Sequence, residues 1–106
     1  MKTAITFRQM QSSEAIKDFI HERIGKLDKY KHSAKEAHVI LSVERYLQVA
    51  EVVLSAKNFH AAGKASTGDM YASIDEAIGK VEKTLKRHHD KRIKAKTHPA
   101  INNQTV

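Results

Sequence analysis

The sequence predicts an α+β fold in which two helices pack on one face of a four-stranded sheet, in the order β-α-β-β-β-α. Two observations support this prediction. Apolar residues recur at helical spacing in two stretches, and they alternate with polar residues in four others. The last three alternating runs are joined by short links, which indicates strands that are neighbours in the sheet.

The chain begins with a strand and a helix. Thr3 to Arg8 alternate between apolar and polar residues, which predicts a half-buried strand. Ser12 or Ser13 is suited to cap the following helix, and Glu14 suits the positive end of its dipole. The apolar residues of this helix recur as far as Tyr30, and they are Ile16, Phe19, Ile20, Ile24 and Leu27.

Three further alternating runs, at residues 37–44, 49–56 and 60–66, predict the remaining strands. The link at residues 44–48 has neither Gly nor Pro, so a hairpin is expected without a defined turn type. Lys57 and Asn58 predict the next turn. In the middle run alternate residues should face the helices, as in an antiparallel sheet covered on one side. The inward residues are Ala50, Val52, Leu54 and Ala56, and the outward ones are Val49, Glu51, Val53 and Ser55.

The longest predicted element is a helix from Asp69 to Lys96, which Asp69 itself can cap. Its apolar stripe consists of Met70, Ile74, Ala77, Ile78, Val81 and Leu85. Its opposite side carries the basic stripe Lys80, Lys83, Arg87, Lys91 and Lys94. Like charges in adjacent turns repel each other and contribute nothing to folding, so the basic stripe predicts a polyanionic partner.

Length and composition limit the possible functions. The chain has 106 residues, enough for one domain, and we expect a domain at 1–96 and a flexible polar tail at 97–106. A net charge of +7 and a pI near 9.7 are typical of nucleic-acid binding, although charge alone also permits an anionic membrane surface. No stretch has the ~20 apolar residues of a membrane span, and no signal-peptide run is present, so we expect a cytoplasmic protein.

The sequence contains no signature of catalysis or of a cofactor. It has no cysteine, which excludes disulfides and thiol chemistry. The adjacent His88 and His89 point ~100° apart on a helix and lack a third ligand at i+4, which argues against a metal site. The serines lack a nucleophile-elbow context, and no glycine-rich phosphate loop precedes a helix. We therefore expect neither an enzyme nor a bound metal, cofactor or small-molecule substrate.

Other residues remain candidates for contacts with RNA. Arg23, Lys26 and Lys29 follow at spacings of three on the first helix, and either an extended basic patch or a solvated surface explains them. Tyr46 and Tyr71 are candidates for stacking on bases, whereas Tyr30 ends an apolar stripe and is expected to pack against the core.

Three segments give the chain a family resemblance. SEAIKDFIHERIGKLDKY at 13–30, AHVILSVERYLQVAEVVL at 37–54 and DMYASIDEAIGKVEKTLKR at 69–87 resemble the bacterial family of ribosome hibernation promoting factors and ribosome-associated inhibitors. The resemblance covers residues 3–94. It implies a β-α-β-β-β-α fold similar to a double-stranded-RNA-binding domain. It also implies binding to the small ribosomal subunit where mRNA and tRNA would sit, which silences idle ribosomes in stationary phase or stress.

The resemblance assigns an rRNA-binding role to the matching basic residues, to which the basic stripe adds Lys91. The predicted rRNA-binding residues are Arg23, Lys26, Lys29, Lys80, Lys83, Lys86, Arg87 and Lys91. Because the end of the chain, THPAINNQTV, is nearly uncharged, the resemblance points to the short type that pairs ribosomes into inactive dimers with a separate ribosome modulation factor. A general double-stranded-RNA-binding module and a regulator of transcription acting through protein contacts remain as alternatives.

Overall fold

A computed structural model of the chain describes residues 1–30 and 34–97, with side chains described as far as Lys91. The predicted order β-α-β-β-β-α is confirmed. Of the predicted tail, residues 98–106 lie outside the described residues, and Thr97 is the last residue of the second helix. The elements are β1 (Lys2–Phe7), α1 (Glu14–Gly25), a 3₁₀ turn (Lys26–Lys29), β2 (Glu36–Glu44), β3 (Leu47–Ala56), β4 (Phe59–Thr67) and α2 (Met70–Thr97).

The sheet is mixed, with the strands side by side in the order β1-β2-β3-β4. β2, β3 and β4 pair antiparallel, but β1 pairs parallel to β2, with Thr3 opposite Ala37 and Phe7 opposite Leu41. The antiparallel pairing expected around β3 is therefore confirmed for β2, β3 and β4, whereas β1, for which no direction was predicted, is parallel. The physical reason is the connection: α1 crosses the sheet and returns the chain to the end at which β1 began, which only a parallel neighbour satisfies.

Two-residue turns join the last three strands. In the β2–β3 hairpin Glu44 lies opposite Leu47, so the turn consists of Arg45 and Tyr46, and Arg45 has a φ of 58°. The β3–β4 turn is Lys57 and Asn58, as predicted, with Ala56 opposite Phe59. Phe59 is buried at the start of β4, one residue earlier than the predicted strand.

Side chains next to the helices cap their N-termini. Of the two candidate serines it is Ser13 that caps α1, because its hydroxyl accepts a hydrogen bond from the Ile16 amide at 3.2 Å. The Asp69 carboxylate accepts from the Ala72 amide at 2.9 Å and caps α2. The continuous helix predicted as far as Tyr30 is wrong in its last turn, which tightens to 3₁₀ from Lys26, a common way for a helix to end.

The core lies between the sheet and the two helices. All six residues of the apolar stripe on α2 are buried, as are the inward residues Ala50, Val52 and Leu54 of β3, which confirms both predicted faces. Val49 differs from its prediction. It belongs to the outer face of the sheet, between Ser42 and Ser66 of the flanking strands, yet only 3% of it is exposed.

Close contact between α2 and β4 depends on Gly63. A Cβ at this position would lie 2.8 Å from the Ala77 carbonyl oxygen, 2.9 Å from Lys80 Cβ and 3.2 Å from Val81 Cγ1. The first of these atoms belongs to the helix backbone, so no side-chain rotation could make room for the added carbon. The missing Cβ therefore sets how closely α2 approaches the sheet.

This contact gives the first testable prediction. Gly63→Ala should destabilise the protein by about 1–3 kcal/mol, because α2 must shift away from β4 to admit the methyl group. Gly79→Ala is the matched control: its Cβ meets nothing within 4 Å, and in a helix the change should stabilise by roughly 0.5–1 kcal/mol. Urea unfolding of both variants measures the difference, and equal effects of the two would contradict the close approach.

Candidate nucleic-acid interface

The two helices run side by side and parallel. Three of the contacts between them share one offset: the partner on α2 lies 52 residues after its partner on α1 or, for Tyr30, just after the 3₁₀ turn. A constant offset of this kind requires two helices that run in the same direction without slipping past each other. We call this line of contacts the seam, and it consists of Phe19 with Tyr71, Arg23 with Asp75 and Tyr30 with Glu82.

Arg23 lies within the seam. Its Nε donates to Asp75 Oδ1 at 2.8 Å, and its Nη1 donates to Glu22 Oε1 at 3.1 Å. The guanidinium also lies over the ring of Phe19, 4.3 Å from the centroid, and only 29% of the side chain is exposed. The structure therefore places this predicted rRNA-binding residue between the helices, with two of its five N–H donors in use.

Glu82 receives two partners from the 3₁₀ end of α1. The Tyr30 hydroxyl donates to Glu82 Oε2 at 3.1 Å, and Lys29 Nζ lies 3.5 Å from the same oxygen. Burial raises the pKa of Tyr30, and the hydrogen bond and charge of Glu82 raise it further. The phenol thus stays protonated and keeps donating at neutral pH. Lys29 remains largely exposed, although this carboxylate partly compensates its charge.

Lys80 is held on the other side of α2. Its Nζ donates to the carbonyl oxygen of Lys64 on β4 at 2.7 Å and lies 4.0 Å from Glu76 Oε2. This cation therefore ties the helix to an edge strand of the sheet, while about half of its side chain stays accessible to solvent.

The remaining predicted cations share one property. They are exposed, and none of their side chains forms a hydrogen bond or ion pair with any residue whose side chain the structure describes. We call them the outer cations, and they are Lys26, Lys83, Lys86, Arg87 and Lys91. Lys83 and Arg87 lie two residues from the buried Val81 and Leu85 and so project away from the sheet. The side chain of Lys94 lies outside the described part of the chain.

The paired histidines serve packing. His88 stacks on Phe59 of β4 with ring centroids 4.4 Å apart, and His89 meets the edge of the Tyr30 ring at 5.6 Å. The sequence analysis missed these contacts. His88 follows the buried Leu85 by three residues, so the helical period was the signal that could have placed its ring toward the sheet. Within the described part of the chain, no three potential ligands among His, Cys, Asp and Glu come together to hold a metal.

The three tyrosines differ in exposure. Tyr30 packs against the core, as expected. Tyr71 is 39% exposed and contacts Phe19 edge-on at 4.9 Å, whereas Tyr46 at the β2–β3 turn is 80% exposed. For the residues that the structure describes, no helix is long and apolar enough to cross a membrane.

The chain is similar in sequence to named bacterial proteins. It is 31% identical over 91 residues to the ribosome hibernation promoting factor of Salmonella typhimurium, a match that covers 86% of this chain and 96% of the relative. The protein of the same name from Azotobacter vinelandii is 29% identical over 93 residues, covering 88% of this chain and 87% of the relative.

Solved structures and a family model agree with these relatives. The N-terminal domain of Thermus thermophilus Protein Y superposes with a TM-score of 0.75 at 26% identity, covering 82% of this chain and 98% of that one. A ribosomal subunit interface protein from Coxiella burnetii has a TM-score of 0.78 at 16% identity, covering 85% and 99%, which shows the shared fold. The sequence model described as "Sigma 54 modulation protein / S30EA ribosomal protein" matches residues 3–93. The chain therefore belongs to the sigma 54 modulation protein / S30EA ribosomal protein family.

Proposed function

We propose that this protein is a cytoplasmic translation inhibitor that binds the small ribosomal subunit and promotes ribosome hibernation in stationary phase or stress. The observation that supports this most directly is the row of outer cations, which have no acidic partner within the described part of the protein. Relatives named ribosome hibernation promoting factor, matched over nearly their whole length, indicate which polyanion the row meets.

The cations divide into two groups by their contacts. Arg23, Lys29 and Lys80 already have partners in the seam or on β4, and their first role is to position the helices. The outer cations are free to neutralise rRNA phosphates, which is where most of the binding free energy of such a surface arises. Lys29 and Lys80 are still more than half exposed and retain ammonium protons for a second contact, whereas the side chain of Arg23 is only 29% exposed and is the least accessible of the three.

The proposed mechanism is occupation of a site and involves no catalysis. A basic surface on two parallel helices that lies in the mRNA and tRNA region of the small subunit would exclude those ligands by mass action. Inhibition would then be stoichiometric, with no substrate consumed and no covalent change in the ribosome. We further propose that the bound ribosomes pair into inactive dimers with the help of a separate ribosome modulation factor.

Two alternative functions predict different binding results. A general double-stranded-RNA-binding module would bind free duplex RNA as tightly as it binds ribosomal subunits. A regulator of transcription acting through protein contacts, which the sigma 54 wording of the family description suggests, would tolerate loss of the outer cations. Measuring binding to small subunits and to free duplex RNA in parallel distinguishes these functions.

The salt dependence of binding is the second testable prediction. If phosphate neutralisation dominates, affinity for small subunits should fall steeply with salt, because each neutralised phosphate releases counterions. Replacing Lys83 and Arg87 together by Ala should weaken binding and flatten the plot of log K against log salt by up to about one unit per lost contact.

The matched control is Lys57→Ala with Lys64→Ala. It removes the same charge, but from the β3–β4 turn and from an exposed side chain of β4. The control should change the slope little. Equal slopes for the wild-type protein and the Lys83 and Arg87 variant, or equal losses in both double variants, would contradict a helix-borne interface.

The third prediction separates Arg23 from the outer cations. Arg23→Ala should lower the free energy of unfolding by roughly 0.5–2 kcal/mol, since it removes a partly buried ion pair and a contact with Phe19. It should leave the salt slope of ribosome binding unchanged, whereas Lys83→Ala should reduce it. A double-mutant cycle with Asp75→Ala measures the seam contact itself. A slope reduced as much by Arg23→Ala as by Lys83→Ala would assign Arg23 to the phosphates instead.

Competition with tRNA is the fourth prediction. Binding of tRNA to small subunits programmed with mRNA should decrease in proportion to the protein added and reach zero near one protein per subunit. A variant with Lys80, Lys83 and Arg87 replaced by Glu should leave tRNA binding intact. Full occupancy by both ligands at once would contradict the exclusion mechanism.

A further inference from the structure

The β2–β3 hairpin ends in an exposed tip that has no role in the packing of the protein. We call residues 43–46 the hairpin tip. Tyr46 is 80% exposed and Val43 is 40% exposed, and no aromatic contact or hydrogen bond joins Tyr46 to any residue that the structure describes. An aromatic ring of this size on a tight turn has no stabilising effect that would account for its place there.

The backbone of the tip itself is strained at Arg45. Arg45 has a φ of 58°, in the left-handed region, where Asn or Gly is favoured and other side chains are disfavoured. The second non-glycine residue with positive φ in the described chain is Gln9, at 53°, in the loop after β1. Because β1 pairs parallel with β2 up to Phe7 opposite Leu41, this loop lies at the same end of the sheet as the tip. Strained residues that persist at one end of a fold are frequently found at ligand-binding surfaces.

A hydrogen bond fixes the tip next to the start of α2. The Ser73 hydroxyl donates to the carbonyl oxygen of Gln48 at 2.6 Å, and Gln48 lies opposite Val43 in the hairpin. The first turn of α2, with the partly exposed Tyr71, therefore lies at the same end of the protein as Tyr46. Most of the outer cations lie further along α2, and Arg87 is about 24 Å from Tyr71 at the helical rise.

We infer that the hairpin tip is a second RNA-binding surface, at which Tyr46 stacks on an unpaired base of ribosomal RNA and Arg45 contacts a neighbouring phosphate. The inference rests on the proposed function and adds to it a contact of a different kind. Stacking requires a base whose face is accessible, which loops and bulges of folded RNA supply and a continuous duplex does not. Arg45 next to the ring supplies a guanidinium for a phosphate, while Glu44 leaves the tip without net charge, so we assign most of the contact to the stacked ring.

The distance between the two surfaces makes the inference specific. A large folded RNA can contact the outer cations and the tip together, whereas a short regular duplex bound along the helices offers no unpaired base to the tip. Loss of Tyr46 should therefore affect binding to small subunits and leave binding to a short duplex unchanged. Stacking is nearly independent of salt, so the salt slope should also be unchanged, in contrast to variants of the outer cations.

The experiment compares Tyr46→Ala with Tyr46→Phe in binding to purified small ribosomal subunits and to a short RNA duplex. Tyr46→Ala should raise the Kd for subunits by roughly 5-fold to 150-fold, the range for losing one aromatic stack, at an unchanged slope. Tyr46→Phe keeps the ring and should bind as the wild-type protein does. Urea unfolding of both variants should match the wild type, because the side chain makes no described contact.

Arg45→Asn provides an independent measurement. Asn accepts positive φ more readily, so this variant should be at least as stable as the wild type while binding subunits more weakly. A purely structural arginine could not give that combination.

Unchanged binding of Tyr46→Ala to subunits would overturn the inference, and so would an equal loss toward the duplex. Neither result would affect the proposed function, which is tested by the slope of the Lys83 and Arg87 variant. If that variant too bound normally, the proposed function itself would fail.

Discussion

The packing of α2 on the sheet is the constraint on which the other features of this protein depend. Because Gly63 has no Cβ, the backbone of α2 lies within contact distance of β4, and the apolar stripe from Met70 to Leu85 is buried. Once that stripe faces the sheet, the period of the helix leaves its outer cations facing solvent. One helix therefore supplies both a large part of the core and most of the proposed binding surface, so the rotation of α2 about its own axis determines the orientation of the cations.

The seam fixes the second helix in relation to the first. Asp75 pairs with Arg23, and Glu82 contacts Lys29 and accepts a hydrogen bond from the Tyr30 hydroxyl. Each acidic group on this side of α2 therefore has a partner within the protein. Glu76 and Asp90 lie on the side of α2 that carries the basic stripe, but neither forms an ion pair with an outer cation among the described side chains. α2 thus has one side whose acidic groups pair with α1 and its 3₁₀ end, and another side whose cations are available to an external anion.

Periodicity within one element made much of this predictable. The six strands and helices, the apolar stripe of α2 and the inward residues of β3 all follow from spacings of two or of three and four along the chain. Contacts between distant elements were not predictable in the same way. Such contacts depend on how separate elements are positioned relative to one another, which spacing within one element does not determine. Examples are the parallel placement of β1, the burial of Val49 between two strands and the pairing of Arg23 with Asp75. Arg23 and Lys83 therefore look equivalent in the sequence and differ in the structure.

The repulsion among the outer cations links stability to binding. Lys83, Lys86, Arg87 and Lys91 occupy little more than two turns, in which Asp90 is the one acidic residue, so we expect their mutual repulsion to weaken the second half of α2 in the free protein. Phosphates placed along this row would remove the repulsion. Part of the binding free energy would then come from relief of the electrostatic repulsion present in the free protein. A ligand that binds only the folded state also stabilises that state by mass action. The same residues that reduce the stability of the free helix would then make it the most strongly stabilised element in the complex.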